Sequence, residues 1–404
     1  MSGKTASPFD VLVVGAGMYV CGKGTDGFGT ILPALFEAHR QGLVDRIHIA
    51  ATSRTSAENA QCKAEALMEY MGVRPRVLVY PSAVNVDEEA YRLPMALPEV
   101  RAAIVSVPDR LHFAITRELI GQGLHVQVVK PLVATVKEVR ELVDLAAKHQ
   151  IYGCVEYHKR FDEANLKLLD LIRCGELGRL LNFTINYSQR KVIPTKMFRG
   201  WVESTDIFQY LGVHYVDLIY FLTGAAPLRV MSVGLKKYLA DQGIDNYDTI
   251  HTLVEWRSAD GDIFLSSHFT GWVDPDTTSA MSDQRLEVVG TNGRYQSDQK
   301  HRGVTLVTDR GGVEAINPYF TQFYPGLDGD GMTAAGYGPK SIVQFLRDVG
   351  DILAGRRNAA SLAGLRATFA SSLVAAAVLE ASQRSLKDNN GWIATGSILS
   401  GEMA

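Results

Sequence analysis

The sequence predicts an α/β fold in two parts: a doubly wound parallel sheet over residues 1–156, then an α/β domain with an open, largely antiparallel sheet over 157–404. Two observations carry this. Short apolar runs alternate with helical-period segments through the first third, the pattern of βαβ units whose sheet is covered on both faces. After Glu156 the strand-like segments lengthen and follow one another across turns at Ala259-Asp260-Gly261, Thr291-Asn292-Gly293 and Arg310-Gly311-Gly312, which join neighbours antiparallel.

Taken in order, apolar runs place strands at 10–14, 46–51, 76–79, 102–107, 125–129 and 152–155. Apolar residues at helical spacing place helices at 30–41, 57–71, 111–122 and 136–150 between them. The second part opens with a short helix at 166–173, stopped by Gly175 and Gly178. Strands are expected at 180–190, 229–236, 249–256, 263–272, 285–289 and 303–307, and helices at 206–222, 339–354 and 362–386.

Composition narrows the function. A chain of 404 residues suits two domains, and 46% hydrophobic with 21% charged residues is the make-up of folded protein. A net charge of −3 and the lack of long like-charge runs give a nucleic acid nothing to bind. The longest apolar stretch, 372–381, is far short of the roughly 20 residues a membrane span needs. The four cysteines (Cys21, Cys62, Cys154, Cys174) show no paired spacing and read as reduced thiols, so a cytoplasmic location is expected. No Cys/His cluster has metal-ligand spacing, and no nucleophile-elbow or P-loop pattern occurs.

The chemistry begins at Gly15-Ala16-Gly17, where the first strand ends. Glycines there let the chain turn tightly and let backbone N–H groups approach a pyrophosphate, as in Rossmann dinucleotide sites. Gly15, Gly17, Met18 and Tyr19 are therefore the expected cofactor contacts. The usual third glycine falls at Val20; the loop runs on to Gly29, an insertion of about nine residues if Gly29 takes that role. After the second strand, Thr52-Ser53-Arg54 stands where an NAD site would offer a carboxylate to the ribose. Ser53 and Arg54 suit a 2′-phosphate better, which leans toward NADP without excluding NAD.

Further segments, in order, resemble the Gfo/Idh/MocA oxidoreductases: Ser106-Val107-Pro108-Asp109 with His112, Val129-Lys130-Pro131, Tyr157-His158-Lys159-Arg160-Phe161, Gly212-Val213-His214-Tyr215-Val216-Asp217 and Gly290-Thr291-Asn292-Gly293. The resemblance spans nearly the whole chain. It implies a Rossmann domain followed by an open-sheet domain, with NAD(P)-dependent oxidation or reduction of sugars, sugar acids or cyclitols. It also implies a homodimer or homotetramer formed through the sheet. Ser106, Val107, Pro108, His112, Lys130 and Pro131 become expected cofactor contacts. Two positions depart from the family pattern: Val129 replaces the glutamate before Lys-Pro, and Tyr210 stands where an aspartate precedes His214.

On this reading Lys130 polarises a carbonyl or shuttles a proton, because burial lowers a lysine pKa toward neutrality. His214 is the expected general acid/base, and Tyr210, one turn earlier, hydrogen-bonds the substrate or relays its proton. Lys130 and His214 are expected to converge beside one nicotinamide. Tyr157, His158 and Arg160 are further expected substrate contacts. Arg199, in a cationic loop with Arg190, Lys191 and Lys196, points to an anionic substrate. His268 and Trp272 alternate on one strand face and are candidates to stack on a sugar ring or to fill a core or interface. Two other readings stay open: redox-assisted glycoside cleavage, for which the enlarged loop at 19–28 would retain the cofactor, and a non-catalytic dinucleotide-binding sensor.

Overall fold

A computed structural model describes residues 7–327, 329 and 331–401. The chain divides into two compact units, the first made of Met1–Leu132, Val139–Phe161 and Tyr319–Ser371, the second of Val133–Glu138, Asp162–Pro318 and Ser372–Ala404.

The first unit is built on six parallel strands: β1 (Phe9–Val14), β2 (Val44–Ala50), β3 (Arg76–Tyr80), β4 (Val100–Val105), β5 (His125–Val129) and β6 (Gly153–Glu156). They lie in the order β3-β2-β1-β4-β5-β6, so the winding reverses between β1 and β4. β1 is buried along its whole length, and apart from Asp10, whose carboxylate meets Arg46 and His48, it is an apolar run. The helix Arg54–Met71 buries Ala57, Ala60, Ala64, Leu67 and Met71, a spacing of three and four that lays one narrow stripe on the sheet. Gly72 then ends the helix at φ 68°, where a side chain would be strained.

Residues Tyr319–Ser371 belong to this unit, although the sequence alone groups them with the second domain. The helix Tyr337–Leu353 buries Ile342, Phe345, Leu346 and Val349 in the same core as Ile31, Leu35 and Phe36 of the helix Ile31–Arg40. A single helix over 362–386 does not form. Gly364 sits at φ +74°. Val155 donates its N–H to the carbonyl of Ala367 at 2.8 Å. The chain thus runs beside β6 before the helix Ser372–Lys387 begins.

The second unit holds β7 (Leu180–Arg190), β8 (Ala226–Leu235), β9 (Thr249–Arg257), β10 (Ile263–Asp274), β11 (Ser282–Gly290) and β12 (Arg294–Asp298). With the short strand Ile393–Ala394 they form a seven-stranded sheet, antiparallel except for the β7–β10 pair. The expected strand near 303–307 forms, as Val304–Thr308, but pairs only with Gly312–Ile316 in a separate hairpin. Asp162 anchors the unit: its buried carboxylate accepts Arg302 Nη2 at 2.8 Å and Gln299 Nε2 at 3.1 Å, and the Ala164 N–H at 3.1 Å caps the next helix.

Candidate functional site

In the first unit the site is the carboxyl edge of the parallel sheet. Gly15 N–H donates to the Ala50 carbonyl at 2.8 Å, and Ser106 N–H to the Val14 carbonyl at 2.9 Å, so the turn after β1 is pinned between β2 and β4. Gly15 adopts φ +115°, and a Cβ there would lie 2.0 Å from the Ser106 carbonyl oxygen. A Cβ on Gly17 would meet nothing within 4 Å. One glycine is thus required by the fold, and the other leaves open space on the turn. That cradle fits a dinucleotide's pyrophosphate, and the reversal point beside it is where open α/β sheets bind ligands.

The inserted loop is tightly organised. One helical turn, Met18–Cys21, follows the glycines, and Thr30 N–H returns to the Tyr19 carbonyl at 2.8 Å. Gly22 and Gly29 both have positive φ, and side chains there would collide with the Gly27 carbonyl and with the backbone of Met18–Val20. Gly29 therefore gives close packing against this first turn. Lys63 caps the carbonyls of Thr25 and Gly27 at 2.8 and 2.7 Å, and Phe28 stacks on Tyr70. Lys23 reaches back to Ser56 Oγ at 2.8 Å, and Ser56 Oγ accepts from Ser53 Oγ at 3.0 Å. The Arg54 guanidinium is held by Glu58 at 2.8 Å. Sequence reasoning favoured Arg54 here; the lysine joined to the Ser53/Ser56 pair is Lys23.

His112 acts as a strut. Its two ring nitrogens lie 2.8 Å from the Pro131 carbonyl and 2.9 Å from the Val107 carbonyl, tying the Ser106-Val107-Pro108 turn to the end of β5. Lys130 follows β5 directly, precedes a cis bond to Pro131 and is 9% exposed. Burial pulls its ammonium pKa from 10.5 down to about 8, against the opposing charges of Asp109 and Glu156.

Glu156 was not singled out in the sequence, where it closes an apolar run. It pairs with Val129 across the β5–β6 ladder and is 1% exposed. Ser341 Oγ donates to its Oε1 at 2.6 Å, and His158 Nδ1 lies 3.1 Å from its Oε2. The Tyr19 hydroxyl lies 3.3 Å from His158 Nδ1, and burial beside Glu156 pushes that phenol well up. His158 and Tyr157 are both buried, and the Arg160 guanidinium stands 5.9 Å from the Tyr157 ring centroid.

In the second unit, Asp206 Oδ1 accepts the Gln209 N–H at 2.7 Å and starts a helix whose first turn, Phe208–Gly212, is π-helical. Such wide turns recur at functional positions. Tyr210 sits on it among Phe198, Trp272 and Trp201, at centroid distances of 5.1, 5.8 and 6.2 Å. His214 lies on the α-helical continuation Val213–Thr223, buried, 6.3 Å from the Tyr187 ring.

The cationic loop is engaged locally. Arg190 donates to Thr278, Lys191 lies 5.0 Å from the Tyr238 ring centroid, and Arg199 binds the Gly243 carbonyl at 3.1 Å with Glu203 at 3.6 Å. His268 and Trp272 are fully buried. His268 is bonded to Ser266 at 2.9 Å, and burial drives its imidazole down to about 3, so it is a neutral core residue.

The strand order, the glycine cradle and the buried lysine define a dinucleotide-binding α/β protein. Comparison with known proteins agrees. Residues 9–157 match the oxidoreductase family with an NAD-binding Rossmann fold, and residues 165–296 match the GFO/IDH/MocA C-terminal domain. The chain belongs to the Gfo/Idh/MocA oxidoreductase family. It is 22% identical to an uncharacterized oxidoreductase of Schizosaccharomyces pombe, covering 77% of this chain and 80% of that one. It is 24% identical to myo-inositol 2-dehydrogenase of Thermotoga maritima, over 56% of this chain and 65% of the other. Scyllo-inositol dehydrogenase from Lactobacillus casei, solved with NAD(H) and scyllo-inositol, has the same fold (TM-score 0.64, 15% identity, 96% of this chain and 100% of that one). Among the described residues no helix is long and apolar enough to cross a membrane, and no group of three or more His, Cys, Asp or Glu is placed to hold a metal ion.

Proposed function

We propose that the protein transfers hydride between a nicotinamide cofactor and a secondary hydroxyl or ketone of a sugar, sugar acid or cyclitol. The observation that carries this is Lys130: an almost fully buried ammonium at the carboxyl edge of the parallel sheet, with a pKa lowered to about 8. Such a group can hold or release a proton near neutral pH. The inositol dehydrogenases among the similar proteins support the substrate class.

When bound, the nicotinamide accepts or donates the hydride. The chain's part is the other proton. In oxidation the substrate hydroxyl loses its proton to Lys130 Nζ or to the His214 imidazole, with Tyr210 as hydrogen-bond donor or relay. In reduction the same groups return the proton to the carbonyl oxygen. Gly15, Gly17, Met18, Tyr19 and the Ser106-Val107-Pro108 turn hold the dinucleotide, and His112 fixes that turn against Pro131. NADP is the favoured form, supported by Lys23 beside Ser53 and Ser56. The apolar side chains exposed on the second unit's sheet, including Leu181, Ile263, Leu265 and Phe269, support a homo-oligomer.

The test is steady-state turnover over a panel of cyclitols, aldoses and uronic acids with each cofactor. Lys130→Ala and His214→Ala should each lower kcat/KM by two orders of magnitude or more. Full activity in both variants would refute the reading. Product formed without matching reduction of cofactor would favour the redox-assisted cleavage cycle instead.

A further inference from the structure

The carboxylate of Glu156 has no part in the chemistry above, yet it lies at the centre of the same sheet edge. Its ladder partner is Val129, the residue immediately before Lys130. Both of its oxygens are fixed, Oε1 by the Ser341 hydroxyl at 2.6 Å and Oε2 by His158 at 3.1 Å. These clamps are themselves held. Ser341 is buried on the helix Tyr337–Leu353, and the His158 ring stacks on Tyr337 at 5.6 Å and packs against Phe320 at 5.2 Å. Four segments of one unit thus converge on this group: the end of β6, the turn after it, the helix Tyr337–Leu353, and Tyr19 through His158.

A carboxylate buried to 1% exposure is costly to keep unless cations and hydrogen-bond donors face it. The charges that act on Lys130 are Asp109 and Glu156, while Glu156 in turn meets His158 Nδ1 and acts on the neutral Tyr19 phenol, on Lys130 and on Cys154 two residues earlier on its strand. Asp109 lies on the turn after β4, whereas Glu156 is embedded in the sheet, so Glu156 is the rigid member of the pair.

We propose that Glu156 is a positioning residue for Lys130: its carboxylate, clamped by Ser341 and His158, holds the ammonium at the end of β5 and stabilises its charged form. This rests on the reading of Lys130 as the group that carries the substrate's proton. It assigns a structural cause to that lysine's state, and it is tested apart from turnover.

The full chain, free of cofactor, is labelled with carbon-13 at lysine Cε and titrated by NMR, with the Lys130 signal identified by its loss in Lys130→Met. The wild-type signal should titrate near pH 8. In Glu156→Gln the midpoint should fall by about one pH unit or more, because an opposing charge has been removed. Glu156→Asp should recover part of that fall, and Ser341→Ala, which frees one oxygen, should produce a smaller one. The limb of the kcat/KM pH profile that reports Lys130 should move with the NMR midpoint. A Glu156→Gln midpoint within about 0.2 pH unit of wild type overturns the proposal. If that variant does not fold, unchanged midpoints in both Glu156→Asp and Ser341→Ala overturn it equally. Full turnover in Lys130→Met would instead refute the catalytic reading, while leaving a Glu156-dependent midpoint intact.

Discussion

Replacing Lys130 with methionine should change how stability depends on pH, in a direction opposite to that of most paired lysines. In the unfolded chain this lysine titrates near 10.5; in the folded one it titrates near 8. Below about pH 8 both states are charged, and folding carries the full burden of burying the ammonium. That burden, the fall from 10.5 to about 8, is about 3 kcal/mol. Between pH 8 and 10.5 the unfolded state binds more protons than the folded one, so wild-type stability gains with rising pH. At pH 9.5, one pH unit below the unfolded value, only about 1 kcal/mol is left. Methionine fills similar volume and does not titrate. The attraction of Asp109 and Glu156 is already contained in the folded value of about 8, so it adds no separate pH-dependent offset. The difference in unfolding free energy between variant and wild type, measured by urea denaturation, should therefore shift toward wild type by about 2 kcal/mol from pH 7 to 9.5. Parallel curves would mean that the folded protein holds this lysine at an ordinary pKa, and the argument from burial would fail.

Gly15→Ala should abolish dinucleotide binding, read by quenching of protein fluorescence, because its Cβ would sit 2.0 Å from the Ser106 carbonyl at a φ of +115°. Wild-type affinity would refute the cradle. Lys23→Ala should raise the Kd for NADPH at least tenfold while leaving that for NADH nearly unchanged, and Arg54→Ala should do much less; titration calorimetry separates them. Arg302→Ala strips the fully buried Asp162 of its cation and should cost about 3–5 kcal/mol in chemical denaturation, with Arg302→Lys recovering only part. Lys63→Ala uncaps two loop carbonyls and should make residues 22–29 the first site of limited proteolysis; an unchanged cleavage pattern would argue that the glycine contacts alone hold that loop.

Much of this was readable from side-chain periodicity. The central strands announce themselves because burial on both faces favours apolar side chains, as in Val11–Val14. Gly15 and Lys130 were legible because a backbone turn and a strand end leave local marks. What failed to show were relations between distant segments. Glu156 looks like the polar end of a strand until Ser341, far along the chain, is brought against it. Lys23 looks like a loop residue until Ser56 meets it. For His268 and Trp272 the sequence leaves a core role and a ring-stacking role side by side, since strand alternation marks a face without saying what covers it. Arg54 is paired for a local reason that the sequence spacing permits: Glu58, one helical turn on, meets its guanidinium.

The return of Tyr319–Ser371 to the first unit bears on how the polypeptide is made. A ribosome delivers all six strands of the first unit's parallel sheet by Glu156, yet the helix Tyr337–Leu353, which packs into the same core, emerges only after β7–β12 have been synthesised. Until then the face of the helix Ile31–Arg40 that packs on Tyr337–Leu353 has no partner, so the nascent chain must carry a bare apolar flank through most of its translation, and chaperone dependence should track that interval.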